Sequence, residues 1–323
     1  MCTAISFQSK DHYFGRTLDV ECSYGEKVII TPRNYPFEFR LDKSRENHYA
    51  IIGIGVVAES YPLYFDATNE KGLSMAGLNF PETANYEEPV ENKHNIGVFE
   101  LIPWILSNCA SVDEAKDLLQ KTNIVAMDFN EEYHSTPLHW MISDRDYSIT
   151  VECVDEGLKI YYNPVHVLTN NPEFPMQMFN LNNYMSLTRE EPETRFAEGF
   201  DFYKYSRGMG ALGMPGDLSS MSRFVRAAFT RLNSVCGETE SESISQFFHI
   251  LDSVSQTRGC VRVEDTFEIT AYSSCCNTDK GIYYYKTYEN SQISAVDLYR
   301  ENLDRNGLII YNLVSEQQIN YQN

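Results

Sequence analysis

Cys2 is the residue of this chain best placed by type and position to do chemistry. It follows Met1 directly, and a penultimate cysteine is small enough for an aminopeptidase to remove the methionine. That removal leaves a thiol and a free α-amine on one residue. The amine titrates near pH ~8 and can take the thiol proton, so nucleophile and base come together without a histidine or a triad. Position alone is a weak signal, because most penultimate cysteines are incidental. The next β-like run, Phe14-Gly15-Arg16-Thr17-Leu18-Asp19, ends with a cation and an anion three residues apart. If it pairs as a hairpin with the run that starts at Cys2, Arg16 favours the thiolate and Asp19 holds the ammonium. The alternative is an exposed ion pair at a strand end.

Other chemistry-bearing residues have plainer readings. His139 lies in a strand-like run and reads as a core imidazole with a backbone partner. Gly208-Met209-Gly210-Ala211-Leu212-Gly213 lacks the G-K-[ST] of a phosphate loop and a preceding βαβ unit, so it reads as a mobile loop near the site. The 8 cysteines show no C-x-x-C and no Cys/His spacing of the zinc kind, which argues against a structural metal. Six or seven of them read as inert, reduced core thiols.

The elements that must position Cys2 are mostly strands in the first third. Thr3–Phe7, Tyr13–Asp19, Lys27–Thr31, Ala50–Val57 and Leu73–Leu78 are β-branched or alternating runs cut by Asp, Gly and Pro. Several are apolar on both parities, as in Ile51-Ile52-Gly53-Ile54-Gly55-Val56-Val57, which predicts strands covered on both faces. Helical spacing follows at 98–108 and 112–121, the latter opened by a capping box, Ser111-Val112-Asp113-Glu114. Strands resume between 138 and 168, and Asn171 reads as the cap of a helix begun by Pro172. The polar stretch Ser186–Gly208 is irregular. Helices return at 222–234 and 241–253, and the rest is β-rich. Two sheets with two helix pairs predict an α+β fold, a four-layer αββα sandwich. With no repeat or linker, residues 1–323 read as a single domain.

The segments Met1-Cys2-Thr3, Tyr13–Asp19, Asn69–Leu73, Ala76–Pro81, Leu138–Asp144, Val167–Asn170, Pro215–Phe224 and Tyr283–Tyr288 together resemble the choloylglycine hydrolase family, the bile salt hydrolases and penicillin V acylases, over essentially the whole chain. No position departs from the family's pattern. The resemblance implies an N-terminal-nucleophile hydrolase fold, Cys2 as nucleophile once Met1 is removed, and its α-amine as base and later proton donor. It further implies that Asp19 orients that amine, that Arg16 and Arg223 line the thiolate and scissile carbonyl, and that Asn79 and Asn170 supply the oxyanion hole. Arg223 falls in the first turn of a predicted helix, an unfavourable place for a cation, which is itself a sign of a functional reason. No cofactor and no metal is implied.

Within the family, Asn79 points to bile salts, because the resemblance associates Asn there with bile salt hydrolases and an aromatic residue with the acylases. Val20, Tyr24, Phe65, Ala67 and Leu138 are candidates for a broad apolar wall against the steroid, by their closeness in sequence to the catalytic residues. The formal charge is -20, which disfavours nucleic acid and anionic membranes as partners. The anionic end of a conjugated bile salt must then meet a local cation, and Arg207, in a glycine-punctuated loop shortly before Arg223, is the candidate. The first twenty residues lack a basic and then apolar leader pattern and no run reaches about 18 apolar residues, so the expectation is a cytosolic protein. The resemblance implies a homotetramer with Ser186–Gly208 as a contact element. Two alternatives stand: a penicillin V acylase-type amidase, and a non-catalytic binder of amphipathic anions should Met1 be retained.

Overall fold

The computed structural model describes residues 1–323. A six-stranded and an eight-stranded sheet stack face to face. The strand Cys2–Gln8 and the strand His12–Val20 form the expected hairpin, with Cys2 opposite Leu18 and Ala4 opposite Arg16. His12–Val20 then pairs with Ile269–Asn277, and the short strand Val167–Leu168 closes the other side of Cys2–Gln8. The first strand of the chain is thus an interior strand of its sheet, which fixes the N-terminus against neighbours on both sides.

In the eight-stranded sheet, Ile51–Ala58 is buried along nearly its whole length, as apolar residues on both parities require. Helices Leu101–Asn108 and Val112–Leu119 cover its outer face through Trp104, Ile105 and Leu119, among others. Helices Ser220–Asn233 and Glu240–Asp252 cover the six-stranded sheet through Phe224, Phe247 and Leu251. The layer order is helix, sheet, sheet, helix.

Three local expectations need correction. The strand Tyr61–Asn69 was not legible, because Pro62 and Asp66 break its apolar alternation. Its Asp66 is buried between the sheets, where the hydroxyls of Tyr272 (2.6 Å), Tyr283 (2.5 Å) and Ser274 (3.1 Å) donate to it from the opposite layer. Asn171 caps no helix: the helix starts at Phe174, and the Asn171 amide donates to Pro81 O and Thr83 Oγ1 instead. Cys22 and Cys260 are exposed rather than core thiols, while all eight cysteines are free.

Candidate active site

The hairpin and the facing sheet bring Cys2, Arg16, Asp19 and Asn79 to one cleft of about 350 Å³, while Asn170 and Arg223 lie outside its lining. Cys2 is only 4% exposed. Register explains the arginine and the aspartate: Leu18 lies opposite Cys2, so Asp19 flanks the N-terminus, and the Met1 carbonyl accepts the Asp19 N–H at 2.9 Å. The exposed-ion-pair alternative fails, since Arg16 and Asp19 are 1% and 0% exposed.

Arg16 is held by neutral acceptors. Nε donates to Thr17 O at 3.1 Å and Nη1 to Phe65 O at 3.1 Å and to Gly77 O. Nη2 is buried with no protein acceptor, which leaves its two N–H groups for the thiol or a ligand. Burial works to lower its pKa, but Cys2, Tyr272, Asp66 and Asp19 hold it above its ordinary value. The Asp19 carboxylate accepts from Thr270 Oγ1 at 2.7 Å and Thr17 Oγ1 at 3.1 Å. Burial pushes that carboxyl up, against the pull of Arg223 and the N-terminal ammonium.

Arg223 resolves the misfit of a cation in the first turn of its helix. It is fully buried and reaches back to the N-terminal strand, donating to Cys2 O at 2.5 Å, Thr3 Oγ1 at 2.7 Å and Asn170 Oδ1 at 2.7 Å. Asn170 Oδ1 also accepts the Cys2 N–H at 2.9 Å, and Asn170 Nδ2 donates to Asn79 O at 2.6 Å. One amide therefore joins Cys2, Arg223 and Asn79. Ser220 Oγ accepts the Asn170 N–H at 2.9 Å.

Glu268 meets the N-terminus of the chain, a neighbour the sequence reading missed. Its carboxylate takes the Met1 ammonium at 2.5 Å, and that ammonium also donates to Asp19 O at 2.6 Å. Nothing in Thr266-Phe267-Glu268-Ile269 marks it, because it arrives through the pairing of Ile269 with Val20.

Of the predicted apolar wall, Val20, Tyr24, Phe65 and Leu138 line the cleft, joined by Leu63, Phe99 and Phe129. Ala67 does not. A register shift at Phe65 turns that ring to the cleft, and Ala67, two residues on, packs among Met75, Trp104 and Ile142 under the outer helices. Arg207 is exposed and outside the cleft. The Gly208–Gly213 stretch is also outside: Gly210 is buried against Thr188 and Glu190, and its carbonyl accepts the Thr188 N–H at 2.9 Å.

Two packed sheets between helix layers, with the cleft built around the first strand, define an N-terminal-nucleophile hydrolase fold. Residues 2–311 match the model of the linear amide C-N hydrolases, choloylglycine hydrolase family, and the chain belongs to that family. It is similar to a bile salt hydrolase/transferase of Lactiplantibacillus plantarum, 58% identical with 98% of each chain covered. A bile salt hydrolase/transferase of Clostridium perfringens is 41% identical with 100% of each covered. Among solved structures, a mutant conjugated bile acid hydrolase from Clostridium perfringens superposes with a TM-score of 0.92 at 39% identity and 100% coverage of both chains. A penicillin V acylase from Agrobacterium tumefaciens shares the fold, with a TM-score of 0.75 at 20% identity, covering 98% of this chain and 92% of that one.

Proposed function

We propose that this chain hydrolyses the amide bond of glycine- or taurine-conjugated bile salts, with Cys2 as nucleophile after removal of Met1. The observation that carries the reading is a buried cysteine at the foot of a largely apolar cleft, tied through Asn170 to Arg223 and Asn79. An apolar wall suits a steroid, and the names of the relatives at 58% and 41% identity support the substrate class.

In this reading the freed α-amine takes the thiol proton and Sγ attacks the amide carbonyl. The oxyanion receives hydrogen bonds from Asn79 and Asn170, whose Nδ2 keeps a second N–H beyond the one given to Asn79 O. Asp19 orients the α-ammonium, which gives its proton to the departing glycine or taurine nitrogen as the C–N bond breaks. Water, deprotonated by the same amine, then cleaves the thioester and restores the thiol. An amine in place of that water would form a new amide, which fits the word transferase in the relatives' names. Val20, Tyr24, Phe65 and Leu138 hold the steroid.

The whole chain acts as one unit in this proposal, in the cytosol and as a homotetramer. The irregular stretch after Tyr184 exposes Phe196, Phe200, Phe202, Tyr203 and Tyr205, an aromatic surface suited to burial against another copy. Arg207, on the same stretch, would then serve the conjugate's anionic end from an assembled form.

Purified protein should release glycine from glycocholate and taurine from taurocholate much faster than it opens penicillin V to its side-chain acid. Faster cleavage of penicillin V would make it an acylase. Stoichiometric bile salt binding without turnover, by a protein retaining Met1, would make it a binder.

A further inference from the structure

Just behind the cleft lie a buried imidazole and a buried carboxylate that the reaction above does not use. His139 and Glu152 are both 0% exposed and meet with Nδ1 3.0 Å from Oε1. His139 Nε2 lies 2.8 Å from the carbonyl oxygen of Thr169. A carbonyl only accepts, so Nε2 carries a proton and donates it. Glu152 also accepts the Phe174 N–H, at 3.0 Å from Oε1 and 3.2 Å from Oε2. The face of the imidazole stacks on Phe80, with centroids 4.1 Å apart and planes 7° apart.

These contacts surround the two asparagines. Thr169 immediately precedes Asn170, and Phe80 immediately follows Asn79. Asn79 ends a strand of the eight-stranded sheet, while Asn170 follows the edge strand Val167–Leu168 of the six-stranded one. An oxyanion hole assembled from two sheets needs a tie between them, because misplacement by about 1 Å can cost about 10²-fold in rate. We propose that the His139–Glu152 pair is a positioning unit, which joins the backbone before Asn170 to the ring after Asn79 and so aims both amides at one point. This rests on the reading of the two asparagines as oxyanion donors.

Two variants probe the two arms. Removing only one partner would leave a buried polar group without its hydrogen bond, so the first arm uses the double change His139→Phe with Glu152→Gln. It keeps a ring on Phe80 and an acceptor for Phe174 but loses the tie to Thr169. The second arm is Phe80→Leu, which leaves the His139–Glu152 pair in place. In folded protein, kcat for glycocholate should fall about 10²-fold in the first and about 10-fold in the second, with KM within about 2-fold. Asn170→Ala added to the first variant should cost less than it does in wild type, because the amide is already misaimed. Unchanged kcat, or full additivity with Asn170→Ala, would overturn the proposal. Crystal structures of both variants give a readout that needs no substrate: the Asn170 Nδ2 to Asn79 O contact should lengthen beyond about 3.5 Å. An unmoved contact overturns the positioning role. An inactive wild type would count against the bile salt reading and leave this arm to decide.

Discussion

No side-chain base is hydrogen-bonded to the Cys2 thiol, and Met1 acylates the nitrogen that would serve as one. The Met1 ammonium sits between Asp19 O and the Glu268 carboxylate, and the Cys2 nitrogen donates to Asn170 Oδ1, a partner that an α-amine freed at Cys2 would keep. Cys2→Ala should therefore abolish amide hydrolysis while the unfolding midpoint stays near wild type; near-normal turnover would remove the nucleophile assignment. Cys2→Ser should also fall by orders of magnitude, because a hydroxyl is far harder to ionise than a thiol. Asn170→Ala and Asn79→Ala should each lower kcat by about 10²–10³ if the side chain donates to the intermediate. Steady-state kinetics distinguish this from substrate binding, which would raise KM and leave kcat unchanged.

The strands and helices were legible where pattern and function agree. The hairpin of Cys2–Gln8 with His12–Val20, the doubly covered strand Ile51–Ala58 and both helix pairs all follow from periodicity. Tyr61–Asn69 was hidden because a buried aspartate reads as a break until the tyrosines that satisfy it are known. Glu268 was hidden because long-range pairing alone brings it to the N-terminus, and Ala67 was misplaced because the register shift at Phe65 leaves no mark in the sequence. Arg16, Asp19 and Cys2 were found together because a hairpin is a local element whose register two short strands determine. Gly15 tests that element: a Cβ there would lie 2.0 Å from the backbone oxygen of Ser274 on the adjoining strand. Gly15→Ala should cost about 1–3 kcal/mol, read as a lowered urea midpoint, and should depress kcat by displacing Arg16. Wild-type stability in this variant would show the hairpin to be looser than its geometry.

At the scale of the whole molecule, a chain of formal charge -20 must admit an anion. Screening should help it, so kcat/KM for glycocholate should rise roughly 2-fold or more between ~0.01 and ~0.15 M NaCl, below micelle formation. A fall would indicate that a local cation dominates encounter. Arg207 is the candidate for that cation, and Arg207→Ala should shift the glycocholate to taurocholate ratio of kcat/KM toward taurine, because a planar guanidinium pairs bidentately with a carboxylate. An unchanged ratio would exclude that role for Arg207. In this mechanism one residue supplies both thiol and amine, and the intact mass of the active enzyme is the sharpest check of that. The predicted mass is that of the chain without Met1, gaining a single cholyl group on Cys2 when the protein is quenched during glycocholate turnover. Full turnover by protein that keeps Met1, or an acyl group on any other residue, would contradict it.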